Sequence, residues 1–226
     1  MSNITENLDM VIFDFEGTLV DFQWKLSEAI RDALEKLWEM GFAKTQICSR
    51  KYSTLLIEAM QAAPEIGLQP EYVRDAIGRI YDSYDEDALA RWNIRPGVED
   101  FLNSLKKRGI QTALVSNVGG RTLARALSKL GLDASFDIAL SRNDVPSLKP
   151  SPDGINLILQ KTAVRKDRTI FVGDSLDDIN AARNAEVRVM IITNGENQRQ
   201  EIVAAKPDRI FEKYEELVLI DNEEVA

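Results

Sequence analysis

Four short apolar runs constrain this chain more than anything else in it: Met10-Val11-Ile12-Phe13, Thr112-Ala113-Leu114-Val115, Thr169-Ile170-Phe171-Val172 and Val187-Arg188-Val189-Met190-Ile191-Ile192. They are rich in β-branched residues and lack the polar alternation of a half-solvated strand. Strands covered on both faces read this way, because neither side meets water. Helical spacing fills the stretches between them. Residues 98–108 stop at Gly109 and residues 121–130 stop at Gly131, glycine being the residue that most readily closes a helix. Residues 153–162 and 178–185 are two further helices. Strands alternating with helices predict an α/β fold built on a doubly wound parallel sheet with right-handed crossovers.

One block breaks the alternation. Between Asp21 and Trp92 no strand pattern occurs, and three sets of residues recur at helical spacing: Trp24-Leu26-Ile30-Leu34-Leu37-Trp38, Tyr52-Leu55-Leu56-Ala59 and Tyr72-Val73-Ala76-Ile77-Ile80-Tyr81. Trp24, Trp38, Tyr52 and Tyr81 read as the core of that bundle. Pro96-Gly97 marks a turn back to the sheet. The 226 residues accommodate this plan. It comprises a Rossmann-like core over 1–20 and 94–226 and an inserted all-helical domain over 21–93. The acidic tail Asn222-Glu223-Glu224 reads as a frayed end.

Composition then narrows the chemistry. The net charge is −9, so the basic footprint of a nucleic-acid binder is missing. Lys106-Lys107-Arg108 reads as a solvated helix face. No apolar run is long enough to span a bilayer, and the N-terminus has no secretory pattern, so a cytoplasmic, membrane-free protein is expected. The single cysteine, Cys48, rules out an internal disulfide and has no imidazole to activate it. The absence of histidine removes Ser-His-Asp triads, Cys-His pairs and His-ligated zinc. Catalysis is left to carboxylates, lysine, hydroxyls, backbone amides and a hard metal.

Ligands of an open parallel sheet bind beyond the carboxyl ends of its strands. Asp14 and Glu16 follow the first strand and Ser116-Asn117 the second. A later loop carries Lys149, and Gly173-Asp174-Ser175-Leu176-Asp177-Asp178 follows the strand at 169–172. Side chains two apart on a strand share a face, so Asp14 and Glu16 are expected to look into one crevice. Crowded carboxylates repel and call for a cation, and an all-oxygen site suits Mg²⁺. With the metal on Asp14 and Asp174, an Asp14 oxygen remains free to attack phosphorus. Lys149 would hold a phosphoryl oxygen. Ser116, the amides after it and the next helix N-terminus would take the others. Glu16 would protonate the leaving oxygen and then deprotonate water.

DFEGTL, VSN, LKP and GDSLDD, in that order, resemble the four motifs of the haloacid dehalogenase superfamily. The helical insert is similar to the cap of its phosphoglycolate phosphatase and β-phosphoglucomutase subgroup. The resemblance implies that Asp14 is the nucleophile and Glu16 the general acid and base. It implies that Mg²⁺ sits on Asp14, Asp174 and the backbone carbonyl of Glu16, with Asp178 supporting from behind or through water. Ser116, Asn117 and Lys149 are implied to bind phosphate, and the partner to be a small phosphorylated metabolite. Two residues depart from the family. Glu16 stands where its phosphatases carry Asp, one methylene shorter. A fraction of the roughly 10²–10⁴-fold that acid-base catalysis provides is expected to be lost. Glu186 stands where Gly is common, which reads as local packing.

The leading reading is a Mg²⁺-dependent phosphatase working through an aspartyl-phosphate. A phosphomutase would share every core residue. A dehalogenase would share Asp14, Ser116 and Lys149 but has no use for the acid-rich GDSLDD. A binding module in which Glu16 marks decayed catalysis is the non-enzyme alternative. Two residues keep a structural reading beside the functional one: Ser175 to Asp178 fits a helix capping box, and Asn117 fits an N-cap.

Overall fold

The computed structural model describes residues 8–47 and 49–218. Cys48 and the acidic tail lie outside the described residues. Six strands form one parallel sheet: β1 (Met10–Phe13), β2 (Gln111–Val115), β3 (Ile138–Leu140), β4 (Thr169–Gly173), β5 (Arg188–Ile192) and β6 (Arg209–Phe211), in the order β3-β2-β1-β4-β5-β6. This is the doubly wound order. β1 lies at the centre, with Ile12 level with Ala113 on one side and Phe171 on the other. β1 and β4 are buried along their whole lengths, which accounts for their unbroken apolar sequences. From β1 the chain order runs one way to β2 and β3 and the other way to β4, β5 and β6. The crevice at this reversal opens beyond Phe13 and Gly173, where Asp14 and Asp174 stand.

The chain divides into two compact units, one of Met1–Phe22 with Trp92–Ala226 and one of Gln23–Arg91. In the sheet unit the helices α4 (Val98–Lys107), α5 (Gly120–Lys129), α6 (Asp153–Thr162), α7 (Leu176–Ala185), α8 (Arg199–Ala205) and α9 (Glu215–Val218) flank the strands. The four-residue α9 packs on α4, and α7 packs on β4, β5, α6 and α8. Two edge strands and the last two helices were not foreseen. β3 and β6 have three residues each and are only partly covered, too short to show a period. Helix α7 begins at Leu176, two residues earlier than its apolar spacing suggests, because Ser175 caps it. It ends at Glu186 with φ +62°, a left-handed residue whose N–H bonds to Ala182 and Arg183. That conformation, rather than packing, is what glycine would relieve here.

The inserted unit is helical, with α1 (Leu26–Glu39), α2 (Tyr52–Ala62) and α3 (Pro70–Leu89). α3 packs against both of the others. Trp24 and Tyr81 are buried as expected, and the Trp24 ring meets Tyr52, Tyr81 and Tyr84 at 5.0, 5.5 and 5.9 Å between centroids. Tyr52 and Trp38 are only half-buried, and the Lys44 ammonium lies 4.4 Å from the Trp38 ring centroid. Tyr72 departs from expectation and is exposed. The buried stripe of α3 runs through Val73, Ala76, Ile77, Tyr81, Asp85, Ala88 and Leu89, and Tyr72, in the first turn, lies at its margin. Among the described residues no helix is long and apolar enough to cross a membrane.

Candidate active site

Three acids converge where β1 and β4 end. Asp14, Asp174 and Asp178 are buried, and each offers a carboxylate oxygen within 4.8 Å of the others. Lys149 reaches in from its loop. Its ammonium contacts Asp14 Oδ1 and lies 2.7 Å from Asp178 Oδ1. Three buried carboxylates thus gather beside one buried ammonium. Burial, opposed by the Lys149 charge, pushes the Asp14 carboxyl up to about 6. Burial, helped by the charges of Asp178 and Asp14, holds Asp174 well above the ordinary carboxylate range. Burial works against the Lys149 ammonium, but Asp14 and Asp178 outweigh it and push it up. An uncompensated acid surplus made entirely of oxygen donors fits a hard divalent cation.

Asp178 caps its own helix and also reaches Lys149. Its Oδ2 accepts from the backbone N–H groups of Asp174 and Ser175, each at 3.0 Å, and from the Ser175 hydroxyl at 2.7 Å. Its own N–H returns a bond to Ser175 Oγ, which completes the capping box. The other oxygen holds Lys149. Asp177 stands outside the cluster of acids.

The residues after β1 do not continue the strand, so a turn rather than strand alternation sets the direction of the Glu16 side chain. The strand stops at Phe13. The N–H groups of Thr18, Leu19 and Val20 all return to the Phe15 carbonyl, and Gly17 takes φ +82°. The Glu16 side chain is drawn to Trp92, whose Nε1 donates to Glu16 Oε1 at 2.8 Å. Thr18, which the sequence reading passed over, turns inward instead. Its hydroxyl lies 3.2 Å from Asp14 Oδ2 and 3.0 Å from Asp174 Oδ1. A hydroxyl has one proton, so it serves only one of two ionised acids at a time. The turn is braced by Arg95, which donates to the carbonyls of Gly17 and Thr193, and by the Tyr214 hydroxyl on the Thr18 carbonyl.

Two glycines shape the cradle of Asp174. A Cβ on either Gly17 or Gly195 would fall well inside contact distance of its carboxylate. The Glu196 N–H donates to Asp174 Oδ2 at 2.6 Å, and burial first, then Asp177 and Asp178, push the Glu196 carboxyl up to about 7. Gly195→Ala is expected to force Asp174 aside and to cost about 1–3 kcal/mol of stability, which urea denaturation would measure. Neither Gly195 nor Glu196 was foreseen, although both follow a strand, β5, whose carboxyl end opens on the same edge.

Ser116 and Asn117 follow β2. Ser116 is buried, and its Oγ accepts from the Val118 N–H at 3.1 Å. The Gly120 N–H at the start of α5 bonds to Asn143 Oδ1 at 2.8 Å. Two amides that were expected to meet phosphate therefore already have partners. Asn117 is not the helix cap. That position is Gly119, whose backbone is extended, and the helix begins at Gly120 after a bend at Asn117 and Val118. The Asn117 amide instead accepts the Lys149 N–H at 3.2 Å and donates to the Lys149 carbonyl at 3.4 Å. Its own carbonyl accepts from the buried Arg142 at 2.8 Å.

A doubly wound sheet carrying this acid and lysine cluster at its reversal defines a class, and the sequence agrees. The profile of haloacid dehalogenase-like hydrolases matches residues 11–192, and the chain belongs to that family. Its relatives include phosphoglycolate phosphatase 1 of Pseudomonas aeruginosa, 27% identical over 213 residues that cover 92% of this chain and 78% of that one. The phosphoglycolate phosphatase of Shigella dysenteriae is 28% identical over 237 residues, covering 96% and 93%. Among solved structures, a predicted phosphoglycolate phosphatase from Haemophilus somnus matches with a TM-score of 0.66 at 25% identity, over 96% of this chain and 99% of that one. A hydrolase from Pseudomonas syringae shares the fold with a TM-score of 0.67 at 23% identity, over 96% and 99%.

Proposed function

We propose that this chain is a Mg²⁺-dependent phosphatase that hydrolyses a small phosphomonoester through an aspartyl-phosphate on Asp14. The observation that carries this reading is the ammonium of Lys149 set between Asp14 and Asp178, with Asp174 inside the same 4.8 Å cluster. An Asp14 oxygen attacks phosphorus as the ester P–O bond breaks, and Glu16 gives its proton to the departing oxygen. Glu16 then takes a proton from water. That water displaces Asp14 from phosphorus, releasing inorganic phosphate and restoring the carboxylate. Lys149 offsets the phosphoryl charge and Asp178 holds Lys149 in place. Ser116 and Asn117 line the phosphate side. Asp14, Asp174 and the Glu16 carbonyl would hold Mg²⁺, which when bound neutralises charge on the phosphoryl oxygens.

A panel of phosphomonoesters assayed with Mg²⁺ and with EDTA tests the reading. 2-Phosphoglycolate heads the panel because the named relatives are phosphoglycolate phosphatases. Phosphate release that EDTA abolishes is the expected result, and Glu16→Asp is expected to raise turnover about 10-fold, a fraction of what acid-base catalysis provides. Isomerised product without phosphate release, or no metal-dependent turnover on any ester, would sink it. Mg²⁺ should also raise the melting temperature more at pH 8 than at pH 5, because protonated Asp14 and Asp174 compete with the metal.

A further inference from the structure

We propose that Trp92 is a positioning residue for proton transfer: its indole N–H pins one oxygen of Glu16 and so makes the other the oxygen that carries the proton. This rests on the phosphatase reading, in which Glu16 is the general acid and base.

Trp92 is 2% exposed and is the first residue of the sheet unit after the helical insert. The backbone on either side of it is fixed. Asp21 donates to the Asn93 carbonyl at 3.1 Å and Arg95 to the Leu19 carbonyl at 2.9 Å, and Val20 and Ile94 form an antiparallel bridge. The indole meets the buried Phe15 ring edge-on, with centroids 5.1 Å apart at 90°. From this seat Nε1 lies 2.8 Å from Glu16 Oε1. One side chain thus fixes both residues that follow Asp14, Phe15 by packing and Glu16 by a hydrogen bond.

An indole N–H donates and cannot accept. The oxygen facing it accepts, and the carbonyl oxygen of a neutral acid is a much better acceptor than the hydroxyl. In the neutral acid Oε1 is therefore favoured as the carbonyl oxygen and Oε2 as the hydroxyl. After transfer Oε1 keeps its bond and Oε2 is the base. Both half-reactions then pass the proton through one atom. The bond also removes rotational freedom that the extra methylene of Glu adds over Asp. A carboxylate one methylene shorter would fall short of the indole by about 1.5 Å. The departure at residue 16 and the tryptophan 76 positions later are two halves of one device.

The test compares wild type, Trp92→Phe, Glu16→Asp and the double variant, with Mg²⁺, on an alkyl phosphate and on p-nitrophenyl phosphate. An alkoxide must be protonated to leave, whereas nitrophenolate departs without a proton. Trp92→Phe is expected to lower kcat on the alkyl ester about 10-fold more than on p-nitrophenyl phosphate. It should cause no further loss in the Glu16→Asp background. Equal losses on both esters, additivity with Glu16→Asp, or an unchanged or raised rate on the alkyl ester would overturn the proposal. Should Trp92→Phe fold poorly, the side-chain ¹H–¹⁵N resonance of Trp92 decides. It must shift on Glu16→Gln, and a resonance that ignores that change denies the bond. If wild type turns over no phosphate ester, the phosphatase reading falls and this proposal with it. If wild type is active and Trp92→Phe matches it on both esters, the role of Trp92 alone falls.

Discussion

Asp14→Asn should reduce Mg²⁺-dependent phosphate-ester hydrolysis to background, a loss on the order of 10³-fold or more. The amide keeps the shape of the side chain and removes the attacking carboxylate. Stability should move the other way. With Asp14 ionised, the Thr18 hydroxyl lies between two acids and has one proton to offer. An amide lets Thr18 accept on one side and donate to Asp174 on the other, while its carbonyl oxygen still accepts from Lys149. The metal-free variant is therefore expected to melt at or above the wild-type temperature at pH 8. Lost turnover with unimpaired folding identifies chemistry at Asp14. Retained turnover would remove the nucleophile from the mechanism.

The second large effect is on folding. Lys149→Met should destabilise the metal-free protein by about 3–5 kcal/mol at pH 7.5, the usual cost of stranding buried charges. For a chain of this length that is a fall of about 10 °C in melting temperature. The loss should depend on pH. Burial, opposed by the Lys149 charge, pushes the Asp14 carboxyl in the folded chain up to about 6, above the ordinary carboxylate range. The folded state therefore binds more protons than the unfolded state across that window, and stability falls as pH rises through it. Removing the Lys149 charge, which pulls Asp14 down, extends the window upward. The gap between variant and wild type should be small at pH 5 and wide at pH 8, and Mg²⁺ should close part of it. Thermal melts at the two pH values, with and without the metal, measure all of this. A gap independent of pH would mean that Lys149 stabilises by packing alone.

What the sequence made legible follows from physics that acts locally. β1, β2, β4 and β5 showed themselves because burial on both faces strips polar residues from a strand. β3 and β6 did not, since three residues at a sheet edge carry no period. Asp14, Lys149, Asp174 and Asp178 could be picked out because charges placed just past apolar strands or in a loop at that edge have few structural reasons to be there. The hydrogen bond between Glu16 and Trp92 was not legible, because the two residues are 76 positions apart and the strand before Glu16 ends at Phe13. Thr18 was hidden in a turn whose geometry depends on Arg95 and Tyr214, both distant in sequence. Gly195 and Glu196 were within reach of the rule that found the rest, since they follow the one central strand whose carboxyl end was not read. Asn117 does not cap α5, because that helix begins only after Gly119, and its contact with the Lys149 backbone joins segments 32 residues apart.

Lys149 belongs to no strand, yet it is moored at both ends. Asn117, just past β2, grips its peptide N–H and carbonyl, while Asp14 after β1 and Asp178 in the first turn of α7 grip its tip. Such a residue is mechanically part of the sheet, whatever the course of the chain that delivers it. A change at Asn117, or at the Arg142 that holds it, should therefore move the charge of Lys149 while leaving that residue itself untouched.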